Sequence, residues 1–225
     1  MIKMNLDDYL NQFDKEQTEA YRRIPLFNSP DLTKDQQRYF AKVFYHLRVH
    51  FNDFVLYMAN FAPDERSKRV ILDNIQEEFG GNGKSHEALY FDFARALDVS
   101  LTDELLSRPN YLDFAREFNQ GHRQFLAAHD WESRVAAFCA YERLDNIDYR
   151  FLERLVRGFG LSGDALRFFT VHTGVEHYGA AKDGLELKTI WQQNPGKVRE
   201  GFSFIGSHQA QMLRDLSDAV LDYTG

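Results

Sequence analysis

The sequence predicts an all-α protein in which residues 1–225 form a single-domain bundle of about seven helices. Three observations support this prediction. Apolar residues recur at spacings of three and four along most of the chain, which is the periodicity of amphipathic helices. The five prolines all fall where a helix can begin or end. No stretch of useful length alternates apolar and polar residues as a half-buried strand does.

The first predicted helix spans residues 33–61. Its apolar residues keep the helical spacing throughout, and Thr33 with Gln36 three residues later resembles a capping box. A second helix begins at Pro63 and is ended by the glycine-rich segment 80–83, because glycine is common where a chain leaves a helix.

The third predicted helix covers residues 85–97, with Ser85 as its N-cap. The next segment is rich in Asp, Ser and Pro and is predicted to be a connection without helix, residues 99–110. Helical periodicity then returns in four further segments. They are residues 111–128, 132–159, 164–181 and 197–223.

Composition and charge exclude several classes of protein. The formal net charge of -7 is spread along the chain, which argues against nucleic acid or an anionic membrane as the main partner. The single cysteine, Cys139, cannot form an internal disulfide and suits a reducing compartment. The first residues show no signal-peptide pattern, and no apolar run approaches the roughly 20 residues of a membrane span. We therefore expect a cytoplasmic protein that does not enter a membrane.

Carboxylates and imidazoles cluster in three separate helical segments. Burying such groups unpaired is costly, so helices that turn several of them inward commonly do so around a metal ion. The pattern therefore predicts a dinuclear iron or manganese site inside the bundle. The clusters are Glu77 and Glu78 with His86, then Glu142, and then His172 with Glu176 and His177.

The first two clusters also have structural interpretations. Glu78 shares a helical face with Ile71 and Ile75, but a glutamate near a helix end is most often a surface charge. Glu142 belongs to a helix with a large apolar side, and Arg143 and its neighbours offer it ion pairs on a solvated face. For Glu142 alone, the structural and functional interpretations are evenly matched.

The third cluster has the spacing of a metal-binding helix. His172 and Glu176 stand at positions i and i+4, one above the other, so one helix can give both to a metal. Imidazole and carboxylate together suit iron, manganese or zinc. A hydrogen-bonded His–Glu pair in the core is the alternative, but three such clusters in one chain favour a metal site.

The order of these motifs resembles the heme-oxygenase-like diiron oxidases. The resemblance covers about residues 37–181, and that family shares its seven-helix fold with TenA-type thiaminases and PqqC-type proteins. Three motifs carry it: Asn-x-x-Glu-Glu-x-Gly followed by His86, the pair Tyr-Glu142, and Phe-x-x-x-His172-x-x-x-Glu176.

The resemblance implies a set of metal ligands in this chain. It assigns Glu142 as the bridging carboxylate and makes Asp145 and Tyr149 candidates for residues that orient the ligands. The implied ligands are Glu78 (or Glu77), His86, Glu142, His172, Glu176 and His177.

The family pattern has a further histidine where this chain has Gly179. His177 is the nearby histidine, and on a regular helix it points about 100° away from Glu176. Two alternatives follow: a local bulge turns His177 inward, or the second metal is bound weakly or not at all.

The function implied by the resemblance is oxidation of a small molecule, such as an amino acid or a fatty acid, by O2 at two ferrous ions. Manganese is an alternative metal, and a homodimer is expected from the family. Two other hypotheses stay open: a metal-free TenA-type enzyme that uses Cys139 as nucleophile, and a helical binding protein without catalysis. Metal content distinguishes the first hypothesis from the other two.

Overall fold

The computed structural model describes residues 4–29, 31–81, 83–174 and 177–225. All regular elements in these ranges are helical, with no strand among them, which confirms the predicted all-α class. The helices are α1 (Leu6–Arg22), α2 (Lys34–Arg48), α3 (Phe51–Ala59), α4 (Glu65–Glu78), α5 (His86–Ala96), α6 (Thr102–Leu106), α7 (Asp113–Ala128), α8 (Trp131–Arg157), α9 (Arg167–Gly174), α10 (His177–Gly184), α11 (Leu187–Gln193) and α12 (Pro195–Leu221).

Several predicted helix starts are confirmed at the level of their caps. The Thr33 side chain accepts a hydrogen bond from the Gln36 amide, and the Gln36 side chain bonds back to the Thr33 amide, completing the capping box of α2. Ser85 caps α5 by accepting from the Ala88 amide. Each of these side chains satisfies an amide that the helix itself leaves without a partner.

The prediction of one helix over residues 33–61 is wrong. The chain turns at Val49 and His50, so that α2 ends at Arg48 and α3 begins at Phe51. The apolar spacing continues across the turn, and for this reason periodicity alone does not reveal the break. The turn makes Arg48 the last residue of α2. A cation at this position is stabilised by the negative end of the helix dipole.

The helices outnumber the predicted seven in the part of the chain that the structure describes. The predicted connection 99–110 contains the short helix α6, and α1 and α11 lie outside every predicted helix. The signal for α1 is present in the sequence, since Leu6, Leu10 and Phe13 have helical spacing and are buried. No helix in the described ranges is both long and apolar enough to cross a membrane.

The long helices α8 and α12 pack closely at the centre of the bundle. A Cβ atom added at Gly201 of α12 would lie 2.5 Å from the backbone nitrogen of Ala137 on α8. Only glycine allows this approach, because the obstructing atom belongs to the backbone and cannot rotate away. The close contact fixes α8, which carries several of the predicted site residues.

Gly201→Ala is therefore expected to lower the free energy of unfolding by about 1–3 kcal/mol, the usual range for forcing an extra carbon into a packed core. Urea unfolding followed by circular dichroism measures the change. Gly196→Ala in the same helix is the control, because its added Cβ would meet nothing nearer than the Asn194 side-chain oxygen at 3.6 Å. Equal stabilities for the two variants would show that the α8–α12 contact does not require glycine.

Candidate metal centre

Glu78 and His86 are brought together by a tight glycine turn. Glu78 is the last residue of α4 and His86 the first residue of α5. Between them, Gly80 has a φ of +95°, and a Cβ at this position would lie 2.6 Å from the backbone of Lys84. The turn therefore requires glycine, and it places Glu78 Oε1 2.9 Å from His86 Nδ1.

His172 of α9 completes a cluster of three potential ligands. One ligand atom from each of Glu78, His86 and His172 lies within 4.8 Å of the others. The two imidazole ring centroids are 4.5 Å apart. His86 and His172 are buried, and Glu78 is partly buried. Two histidines and one carboxylate are the ligand set of many non-heme iron(II) oxygenases.

The donor set fits a metal ion. His86 Nδ1 is buried and, despite its short distance to Glu78, does not have hydrogen-bond geometry to any described atom. A buried ring nitrogen in this state is costly unless a cation or water satisfies it. Glu78, His86 and His172 together offer the nitrogen and oxygen donors that iron(II) and manganese(II) accept.

The imidazole of His172 is oriented by two neighbours. Its Nδ1 donates to the Phe168 carbonyl oxygen at 2.6 Å, which places the lone pair on Nε2. The Tyr149 ring stacks on the imidazole with centroids 3.9 Å apart and an interplanar angle of 3°. Tyr149, expected to orient a ligand, therefore lies directly against one of the predicted ligands.

Glu142 is buried in the same region of the bundle. Its Oε1 accepts a hydrogen bond of 2.9 Å from Asn74 Nδ2 on α4. Burial, together with the nearby Glu78 carboxylate, raises the pKa of Glu142 to about 8, although the Asn74 hydrogen bond opposes the shift. The solvated ion-pair interpretation of Glu142 is wrong, because Arg143 pairs with Asp14 instead.

The other predicted ligands differ in where they lie. Glu77 is exposed, whereas Glu78 faces His86, so the structure favours Glu78 of the two. Glu176 lies outside the described residues, as does the side chain of His177. Gly179 lies in α10 and has no side chain to offer a metal.

A pocket adjoins the three-ligand cluster. About 30 Å³ of it can be reached by the centre of a water molecule, so the cavity is narrow. Glu78, His86 and His172 line it, and six of its fourteen lining residues are tyrosine or phenylalanine. The aromatic residues are Tyr45, Phe51, Tyr90, Tyr141, Tyr149 and Phe168.

The sequence-based prediction includes Asp145 but not the arginine that pairs with it in a buried charge cluster on the pocket wall. Arg48 pairs with Asp148 at 2.8 Å and with Asp145 at 3.4 Å, and both Arg48 and Asp145 line the pocket. Burial and the Asp148 charge raise the pKa of Asp145, while Arg48 opposes the shift. The available signal for Arg48 is its position four residues after Phe44, on the apolar face of α2.

Cys139 lies in an environment that suppresses nucleophilic chemistry. The residue is completely buried, and burial together with the Glu142 carboxylate raises the pKa of its thiol. Because the thiolate is the reactive form, a raised pKa leaves the sulfur unreactive. This geometry does not favour the metal-free alternative that uses Cys139.

Comparison with known proteins agrees with this site. The model of a family described as iron-containing redox enzyme matches residues 38–182. Because that range contains more than half of the chain, the protein belongs to the iron-containing redox enzyme family. The predicted iron-dependent oxidase class is thereby confirmed.

Two similar proteins share one name. A 4-aminobenzoate synthase of Chlamydia pneumoniae is 26% identical over 188 residues, which is 81% of this chain and 80% of that protein. A 4-aminobenzoate synthase of Chlamydia trachomatis is 24% identical over 197 residues, covering 85% and 81% of the two chains. Both alignments extend well beyond the residues that form the candidate centre.

Solved structures establish the fold independently. A domain of unknown function with a heme oxygenase-like fold from Shewanella denitrificans has a TM-score of 0.74 at 15% identity, covering 95% of this chain and 92% of that one. A CADD-like protein of unknown function from Nostoc punctiforme has a TM-score of 0.70 at 15% identity, with coverages of 94% and 98%. The predicted heme-oxygenase-like fold is confirmed.

Proposed function

We propose that this enzyme uses iron and O2 to oxidise a small molecule bound in the aromatic pocket. The observation that carries the proposal is the convergence of Glu78, His86 and His172 from three helices on the end of that pocket. One iron would be held by these three residues. A second would be held by Glu142 together with Glu176 and His177.

Bound iron would supply the redox chemistry, namely activation of O2 and removal of electrons from the substrate. The protein's own part is to position the reactants and exclude water. Tyr149 and the Phe168 carbonyl hold the His172 ring in one plane and one tautomer. The narrow aromatic wall keeps bulk water away from the ligands and gives a flat or slender substrate its contacts.

The charged part of the wall favours a polar substrate. An alkyl chain placed against Arg48 and Asp145 would desolvate these groups without giving them hydrogen bonds. Of the two substrate classes implied by the family resemblance, an amino acid therefore suits the pocket better than a fatty acid.

A second, more specific candidate is formation of 4-aminobenzoate. It is supported by the two chlamydial relatives, which bear the name 4-aminobenzoate synthase and align with more than four fifths of this chain. Production of 4-aminobenzoate does not conflict with the general proposal, since it too would be an oxidation of a small molecule.

Iron-dependent O2 consumption tests the general function. Protein reconstituted anaerobically with ferrous iron should consume O2 when a reductant is added, whereas the metal-free protein and a zinc-loaded sample should not. Mass spectrometry of the reaction then tests for 4-aminobenzoate, and growth of a 4-aminobenzoate auxotroph expressing the chain gives the cellular measurement. O2 uptake equal in the iron-loaded and metal-free samples would contradict the proposal.

Three narrower expectations stay predictions. They concern manganese as an alternative metal, a homodimeric assembly and a cytoplasmic location.

A further inference from the structure

Arg48 lies at the centre of a buried network beside the metal centre. Its side chain is 5% exposed, and it forms ion pairs with Asp148 and Asp145 of α8. It also donates a hydrogen bond of 3.2 Å to the Tyr141 hydroxyl. A buried cation with these partners holds α2 and α8 in a fixed relation, because separating the charges inside the protein is costly.

The network reaches a predicted ligand through one aromatic ring. The Arg48 guanidinium carbon lies 4.9 Å from the centroid of the Tyr149 ring. The same ring is stacked on the imidazole of His172 at 3.9 Å and nearly parallel to it. A cation over the ring and an imidazole stacked on it together restrict the ring to one position.

We propose that Arg48 is a positioning residue of the metal centre. It fixes the Tyr149 ring, which in turn fixes the plane of the His172 imidazole. It also binds Asp145 and Asp148, so that these carboxylates are held away from the metal and do not compete with Glu78. The inference rests on the proposed metal site, in which His172 is a ligand.

The chemistry of this position is specific to arginine. The planar guanidinium bonds to Asp148 through Nη2 and to Asp145 and the Tyr141 hydroxyl through Nη1, while its central carbon lies over the Tyr149 ring. A lysine ammonium is a compact charge without a planar fork. Lysine would keep the neutralising charge but would lose the planar arrangement of N–H groups that bonds to Asp145, Asp148 and Tyr141.

Cobalt(II) titration of the metal-free protein tests the proposal through affinity and the visible spectrum. Arg48→Met should weaken cobalt binding by about 10–100-fold, the loss of affinity typical when a residue that orients a ligand is replaced. The same substitution should shift the absorption bands of the bound cobalt. Arg48→Lys should recover part of the affinity while keeping an altered spectrum. A role confined to folding would not change the spectrum of the bound metal.

Arg143→Met is the matched control. Arg143 also pairs with a carboxylate, Asp14, at 2.6 Å and lies 4.7 Å from the Tyr178 ring. Neither Asp14 nor Tyr178 is a proposed ligand. This variant should lose stability without changing cobalt affinity or spectrum.

The outcomes separate the possible failures. If the unmodified protein binds no cobalt, the proposed metal site is wrong. If it binds cobalt and both Arg48 variants match its affinity within twofold and its spectrum, the positioning role is wrong while the site stands. Should Arg48→Met fail to fold, Arg48→Lys alone decides between these results.

Discussion

His172→Ala is expected to abolish tight iron binding at the three-ligand cluster. The substitution removes one of only two histidines in the three-ligand cluster and leaves Glu78 and His86 as a pair. Two protein ligands hold a divalent ion much more weakly than three, because the lost bond is replaced by exchangeable water. The ion at the three-ligand cluster should be lost, so iron content after anaerobic loading and gel filtration should fall from about two equivalents to one or fewer, and O2 consumption should fall with it.

The control for this variant is His129→Ala. His129 caps the end of α7, and its Nε2 lies 3.5 Å from Glu200 Oε1, outside the cluster. Its replacement should leave iron content unchanged. An iron content in His172→Ala equal to that of the unmodified protein would remove His172 from the ligand set.

Glu142→Gln is expected to reduce the iron content from two equivalents to one. The amide is close in shape to the carboxylate and can still bond to Asn74, so the helix packing should be preserved. A neutral amide is nevertheless a poor ligand for iron(II), and the proposed second ion would be held by the Glu142 carboxylate. The first ion, at Glu78, His86 and His172, should remain, whereas the oxidation reaction should slow by two or more orders of magnitude.

Mössbauer spectroscopy of iron-57-loaded protein distinguishes one site from two. Glu132→Gln, a substitution near the start of the same helix, should keep both signals and full O2 consumption. If the unmodified protein and Glu142→Gln both bind one equivalent of iron, the centre holds a single iron at the three-ligand cluster and Glu142 is not a ligand.

The sequence identifies the side chains of the candidate centre better than it predicts which of them meet in space. Glu78, His86, Glu142 and His172 are identifiable because polar groups at regular helical spacing on apolar faces are unusual. Their convergence in space is a tertiary property, and it depends on features such as the turn at Gly80. Glu176 lies outside the described residues.

Arg48 shows why part of the site is hidden from periodicity. A lone arginine on an apolar face is ordinarily interpreted as a side chain that extends to solvent. Its partners, Asp145 and Asp148, come about one hundred residues later and are identifiable only when α2 and α8 are seen side by side. The turn at residues 49–50 is also hidden, because the apolar spacing continues across it.

The glycine turn between Glu78 and His86 has a consequence for how the protein acquires its metal. These two ligands are separated by eight residues, whereas His86 and His172 are separated by 86. Loop-closure entropy scales with the logarithm of chain length, so joining the near pair costs about 2 kcal/mol less than joining the distant one. Two of the three residues proposed as ligands are thus expected to lie together once this short hairpin forms during synthesis, before His172 has been translated.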